Sequence, residues 1–109
     1  MRTLIENGTC VTASDTFAAD VWIDNGKIAA LVAPGTKLGN ADRTIDAKGK
    51  YVIPGGIDAH THLDMPFGGT NSIDDFESGT LAAAHGGTTT IVDFAIQKKG
   101  GSLREALDT

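Results

Sequence analysis

Two histidines, His60 and His62, stand two residues apart in the run Pro54-Gly55-Gly56-Ile57-Asp58-Ala59-His60-Thr61-His62-Leu63-Asp64. Side chains at i and i+2 of a strand project from the same face. Both imidazoles can therefore reach one metal ion, while Ile57, Ala59, Thr61 and Leu63 face the other way. A zinc-type catalytic centre takes at least three ligands from His, Asp, Glu or Cys and keeps one position open for water. The bound water ionises near pH ~7 and supplies hydroxide as a nucleophile. His60 and His62 provide two such ligands at the carboxyl end of a strand, which is where α/β barrels place their active sites.

Other polar and reactive side chains have plainer readings. His85 closes a helix beside Gly86, where a histidine can bond the last carbonyls and favour the negative end of the helix dipole. Asp58 is read as a support for the histidines or as a resident of the barrel interior. Asp93, at the end of a strand, either lines the mouth of the site or is a hydrogen-bonded structural carboxylate. Lys98 and Lys99 fall in a polar loop. Cys10, the only cysteine, reads as a small buried hydrophobe, and Trp22 as a core residue. Paired catalytic carboxylates, a nucleophilic serine and a phosphate-binding loop have no match in the sequence.

The elements that would position the histidines change character at Pro54. Residues 1–53 read as short strands joined by hairpins. Asn7-Gly8, Asn25-Gly26 and Lys48-Gly49 each separate two apolar runs, and Asn-Gly favours the type I′ turn because both central residues need positive φ. The expectation is part of a small β-sandwich. From 54 to 109 the order is strand (57–63), glycine-rich loop (64–73), helix and strand (88–94), the parallel unit of an α/β fold. Asp74 and Glu77 have capping-box spacing at the start of that helix. Phe76, Thr80, Ala83 and Ala84 share a stripe, and Gly86-Gly87 supplies a left-handed C-cap. Ser102 and Glu105 repeat the capping-box spacing, so a second helix starts there. A sheet of two parallel strands keeps open edges, and the expectation is the front portion of a longer protein.

The 109 residues suffice for about one domain. A net charge of −5 argues against a nucleic-acid footprint, which needs a basic face. No basic cluster exceeds Lys98-Lys99, so an anionic membrane surface is not an expected partner. No apolar run reaches the ~18–20 residues of a membrane span, and Met1 to Glu6 does not start a secretory signal. One cysteine forms no internal disulfide, which fits a reducing, cytoplasmic compartment. The fourteen glycines are nearly twice the ~7% of average usage and mark turns and close backbone approach.

Residues 50–95 closely resemble the start of dihydropyrimidinases and D-hydantoinases of the amidohydrolase superfamily. The most specific stretches are Gly55 to Thr70 and Gly86 to Phe94. The resemblance implies a β-sandwich segment (1–53) followed by the first βαβ unit (54–109) of a metal-dependent (β/α)8 barrel. It further implies that His60 and His62 bind one ion of a two-metal centre, usually zinc, bridged by a carboxylated lysine and a hydroxide. In such proteins the hydroxide opens a dihydropyrimidine or hydantoin ring to an N-carbamoyl amino acid. The bridging lysine, two more histidines and a proton-shuttling aspartate lie beyond Thr109, so no catalytic residue is expected within this chain, and the piece alone is expected to be inactive. Dihydroorotases carry an arginine where this chain has Asp64, which favours a neutral cyclic imide as the substrate; for Asp64 a turn role is equally open. Met65 and Phe67 align with the loop lining the pocket for the ring substituent, with ordinary loop packing as the alternative. The resemblance also implies a homotetramer for the full-length protein. Dihydropyrimidinase-related scaffold proteins, which have lost metal ligands, are one competing reading, and the presence of both histidines counts against it. The other is a stand-alone 109-residue product that binds metal weakly or is inactive.

Overall fold

The structure is a computed structural model and describes residues 1–108. Thr109, the last residue of the expected second segment, lies outside the described residues. The chain divides into two compact units, Met1–Pro54 and Gly55–Thr109.

The first unit contains two sheets. One joins β1 (Arg2–Glu6), β4 (Asp20–Asp24), β5 (Lys27–Val32) and β6 (Arg43–Asp46) in the order β5-β4-β1-β6. The other joins β2 (Thr9–Val11), β3 (Thr16–Ala18) and β7 (Tyr51–Val52) in the order β3-β2-β7. Their apolar faces meet in one cluster, in which Cys10, Ala19 and Val21 are buried and Ile5, Phe17, Ile23 and Val52 pack around them. Trp22 is also buried, with the Arg2 guanidinium 5.5 Å from its ring centre. Cys10 and Trp22 are thus the core residues their types suggested.

Of the three expected hairpins only Asn25-Gly26 is one. It joins antiparallel β4 and β5, and both turn residues have positive φ, 49° and 79°. Asn7-Gly8 and Lys48-Gly49 instead carry the chain from one sheet to the other. β1 lies parallel to β6 and β2 parallel to β7, so the two corners run side by side. The Ala47 N–H donates to the Glu6 carbonyl (2.8 Å) and the Thr9 N–H to the Lys50 carbonyl (3.0 Å). At each corner only one residue, Asn7 or Gly49, has positive φ, so a type I′ turn cannot form.

In the second unit β8 (Gly56–Thr61) and β11 (Thr88–Asp93) pair in parallel, with α1 (Phe76–His85) between them in sequence. This is the expected strand–helix–strand order. β8 ends at Thr61, two residues earlier than the sequence pattern suggests, because the Leu63 N–H leaves the ladder for the Asp93 carboxylate (3.0 Å). The helix start is shifted by one residue. Asp75, not Asp74, is the N-cap, and it shares a reciprocal capping box with Ser78 rather than Glu77. Asp74 accepts from the Ser78 hydroxyl (3.2 Å). The partly covered residues of α1 are Gly79 and Ala83, whereas Phe76, Thr80 and Ala84 of the expected stripe are exposed. Gly79 has no room for a Cβ because the Leu63 side chain occupies that place. Gly87, with φ 86°, provides the left-handed residue after the helix.

The segment 64–73 is more ordered than a loop. β9 (Pro66–Phe67) and β10 (Thr70–Asn71) form a small antiparallel hairpin. It turns on Gly68-Gly69, both with positive φ (60° and 86°). α2 (Leu103–Leu107) starts at the expected Ser102/Glu105 capping box.

Candidate metal centre

His60 is the penultimate residue of β8 and His62 lies just past its end. Their Nε2 atoms are 3.0 Å apart. The ring centres are 4.9 Å apart with planes at 74°, and both residues are exposed. Two nitrogens each ~2.1 Å from a shared ion would stand about 3.0 Å apart at a right angle and about 3.4 Å apart at the tetrahedral angle. The observed spacing therefore suits joint coordination of one cation. Among the described residues, no group of three or more His, Cys, Asp or Glu side chains is placed to hold a metal.

Two carboxylates fix the backbone around the pair. Asp58 Oδ1 accepts the His60 N–H (3.1 Å). Asp93 Oδ2 accepts the Leu63 N–H (3.0 Å) and its Oδ1 the Phe94 N–H (2.7 Å). Of the two readings open for Asp93, the structure shows the hydrogen-bonded one. The Thr61 hydroxyl donates to the Val92 carbonyl (3.2 Å), which ties the two strand ends together.

The hairpin that follows carries Met65 and Phe67. Met65 is half-buried, and it exchanges bonds with Ser72: its N–H donates to the Ser72 hydroxyl (2.8 Å) and its carbonyl accepts the Ser72 N–H (2.8 Å). Phe67 is exposed at the turn. Asp64 is a turn residue with φ 47°. Its N–H donates to the Asp74 carbonyl (2.8 Å), and its carboxylate accepts from the Asn71 amide (3.3 Å). His85 is the exposed last residue of α1, and Lys98 and Lys99 lie in the turn before α2.

One residue of the centre is absent from the spacing argument. The ring of Phe94 lies 4.7 Å from that of His60, with planes at 49°, and 4.9 Å from that of His62, with planes at 24°. The signal that could have found it was an aromatic residue at the end of the strand paired in parallel with the histidine strand.

Residues 43–104 match the model of the amidohydrolase family, and the chain belongs to that family. It is 62% identical over 110 residues to a D-hydantoinase of Streptomyces coelicolor, a match covering 98% of this chain and 24% of that protein. To a dihydropyrimidinase of Rattus norvegicus it is 48% identical over 111 residues, covering 99% and 21%. A crystal structure of a D-hydantoinase superposes with a TM-score of 0.93 at 56% identity, covering 99% of this chain and 23% of the other. The chain thus spans about a quarter of the length of these relatives.

Proposed function

We propose that this chain is the amino-terminal section of a metal-dependent cyclic amidohydrolase that opens dihydropyrimidine or hydantoin rings to N-carbamoyl amino acids. The observation that carries the reading is the convergence of His60 and His62 Nε2 to 3.0 Å at the end of a parallel strand. In this reading β8, α1 and β11 are the first units of a (β/α)8 barrel, and the two imidazoles hold one ion of a divalent pair, with zinc as the first candidate. Such an ion polarises a carbonyl and lowers the pKa of bound water to near ~7.

The residues of this chain then divide the work. His60 and His62 hold the ion, and Asp58 and Asp93 fix the backbone that carries them. Met65 and Phe67, on the Gly68-Gly69 hairpin, line the pocket for the ring substituent. The carboxylate of Asp64 in the same segment disfavours an anionic ring and favours a neutral cyclic imide. The other ligands and the group that shuttles the proton come from outside these 109 residues. The lone buried Cys10 suits a reducing, cytoplasmic setting, and the assembled enzyme is a homotetramer. No described helix is long and apolar enough to cross a membrane.

The test uses the full reading frame that carries these residues. Metal analysis should find about two divalent ions per chain, and the protein should hydrolyse dihydrouracil or hydantoin. His60→Ala and His62→Ala should each lower metal content and abolish turnover. Unchanged metal content in both variants would remove the assignment. The 109-residue chain by itself should be inactive, and turnover above its own His60→Ala control would overturn that part.

A further inference from the structure

We infer that Phe94 and Asp93 form a positioning pair that sets the two imidazoles for coordination. The inference rests on the metal-binding reading of His60 and His62. Phe94 contacts both imidazoles, with ring centres 4.7 Å and 4.9 Å away, while the imidazoles meet each other nearly edge to face. A histidine χ2 is a broad torsion with no sharp wells of its own, so a neighbouring ring face is what narrows it. Contact with both rings restrains both at once and in relation to each other.

The Asp93 carboxylate fixes where that face stands. One oxygen takes the main-chain N–H of Leu63, the residue after His62, and the other takes the N–H of Phe94 itself. One side chain thereby links the backbone beyond the second histidine to the backbone that carries the aromatic ring. Phe94 remains half exposed, so its ring is more engaged with the imidazoles than with a core. Orienting partners of this kind, beyond the ligands themselves, commonly tune metal affinity by about ten- to a hundredfold.

Cobalt(II) alone serves as the probe, titrated into the protein of the full reading frame and followed by its visible absorption, beside ring-proton spectra of the metal-free protein. Phe94→Ala and Phe94→Leu should each weaken cobalt binding about tenfold. Phe94→Tyr should restore it to within about twofold, because the ring face is what acts. In the metal-free protein, ring protons of both His60 and His62 should move downfield in Phe94→Leu, which keeps apolar bulk and removes the ring current. Asp93→Ala should produce the same two changes, and Asp93→Asn smaller ones. Phe94→Leu binding cobalt as tightly as the parent, while His60→Ala does not, would overturn the positioning role and leave the metal site standing. Equal cobalt binding by the parent and His60→Ala would remove the metal site, and this inference with it. Unmoved histidine resonances in Phe94→Leu would also overturn it.

Discussion

Single residues decide whether the corners and turns of this chain hold, and Asp20 is the clearest case. It opens β4 at only 2% exposure. One oxygen accepts the N–H of Asn7 (3.1 Å) and the other the N–H of Gly35 (2.7 Å). The carboxylate thus ties the inter-sheet corner to the turn after β5. Asp20→Ala would remove both of these bonds to a buried carboxylate, and a hydrogen bond to a charged group is worth about 1.5–3 kcal/mol. Trp22, the single tryptophan, is buried in the same unit and reports its unfolding. The urea midpoint read from Trp22 fluorescence should fall accordingly, and an unchanged midpoint would show that Asp20 does not hold the corner. Nothing in the sequence distinguishes Asp20 from the exposed Asp15, because its partners are backbone groups brought near only by folding. The histidine pair was legible for the opposite reason: the i, i+2 relation is local and needs only a strand. Phe94 had no such local cue, since its contact with the histidines depends on β8 and β11 pairing in parallel.

At the scale of elements, the glycine signals were read well only where two adjacent residues both adopt positive φ. Asn25-Gly26 meets that condition and makes a hairpin, whereas Asn7-Gly8 and Lys48-Gly49 meet it at one residue and turn corners between sheets. Gly68-Gly69 also meets it, but its strands are two residues long, too short to show an alternating pattern. The capping-box spacing located α2 correctly and missed α1 by one residue, because Asp74-Asp75 offers two adjacent caps and Ser78 can answer the second. The Asp75 carboxyl is held below its ordinary value by the Ser78 N–H first and the Ser78 hydroxyl second. Its pKa is lower folded than unfolded, so the carboxylate stabilises the helix start above the unfolded value of 3.8. That contribution is lost as pH falls through the lower folded value. Helicity should therefore decline in acid below about pH 4 in the parent. Asp75→Asn, which keeps a capping oxygen but cannot titrate, should flatten this decline in a circular-dichroism titration. Equal acid slopes in the two proteins would mean that Asp75 is not the titrating cap.

Across the whole molecule the two units are unequally equipped to stand alone. The first buries Cys10, Ala19, Val21, Trp22 and Ala47, whereas no described residue of the second falls in the buried class. Parallel strands are stable when both faces are covered, yet Ile57 on β8 is 70% exposed and Ile73 before α1 is 99% exposed. β8 and β11 each have an unpaired edge, which invites pairing with another chain. Relatives about four times as long have further chain with which to cover such surfaces. For the 109 residues by themselves, hydrogen exchange should protect the amides of β1, β4 and β5 and leave those of β8 and β11 nearly unprotected. Sedimentation should show association that grows with protein concentration, driven by the exposed apolar faces. Trp22 fluorescence should still give a cooperative transition, because Trp22 is buried within the first unit, which has its own core cluster. A monodisperse monomer in which β8 and β11 are as protected as β4 would contradict this division. It would mean that a two-stranded parallel sheet with one covering helix is enough to hold His60, His62 and Phe94 in place.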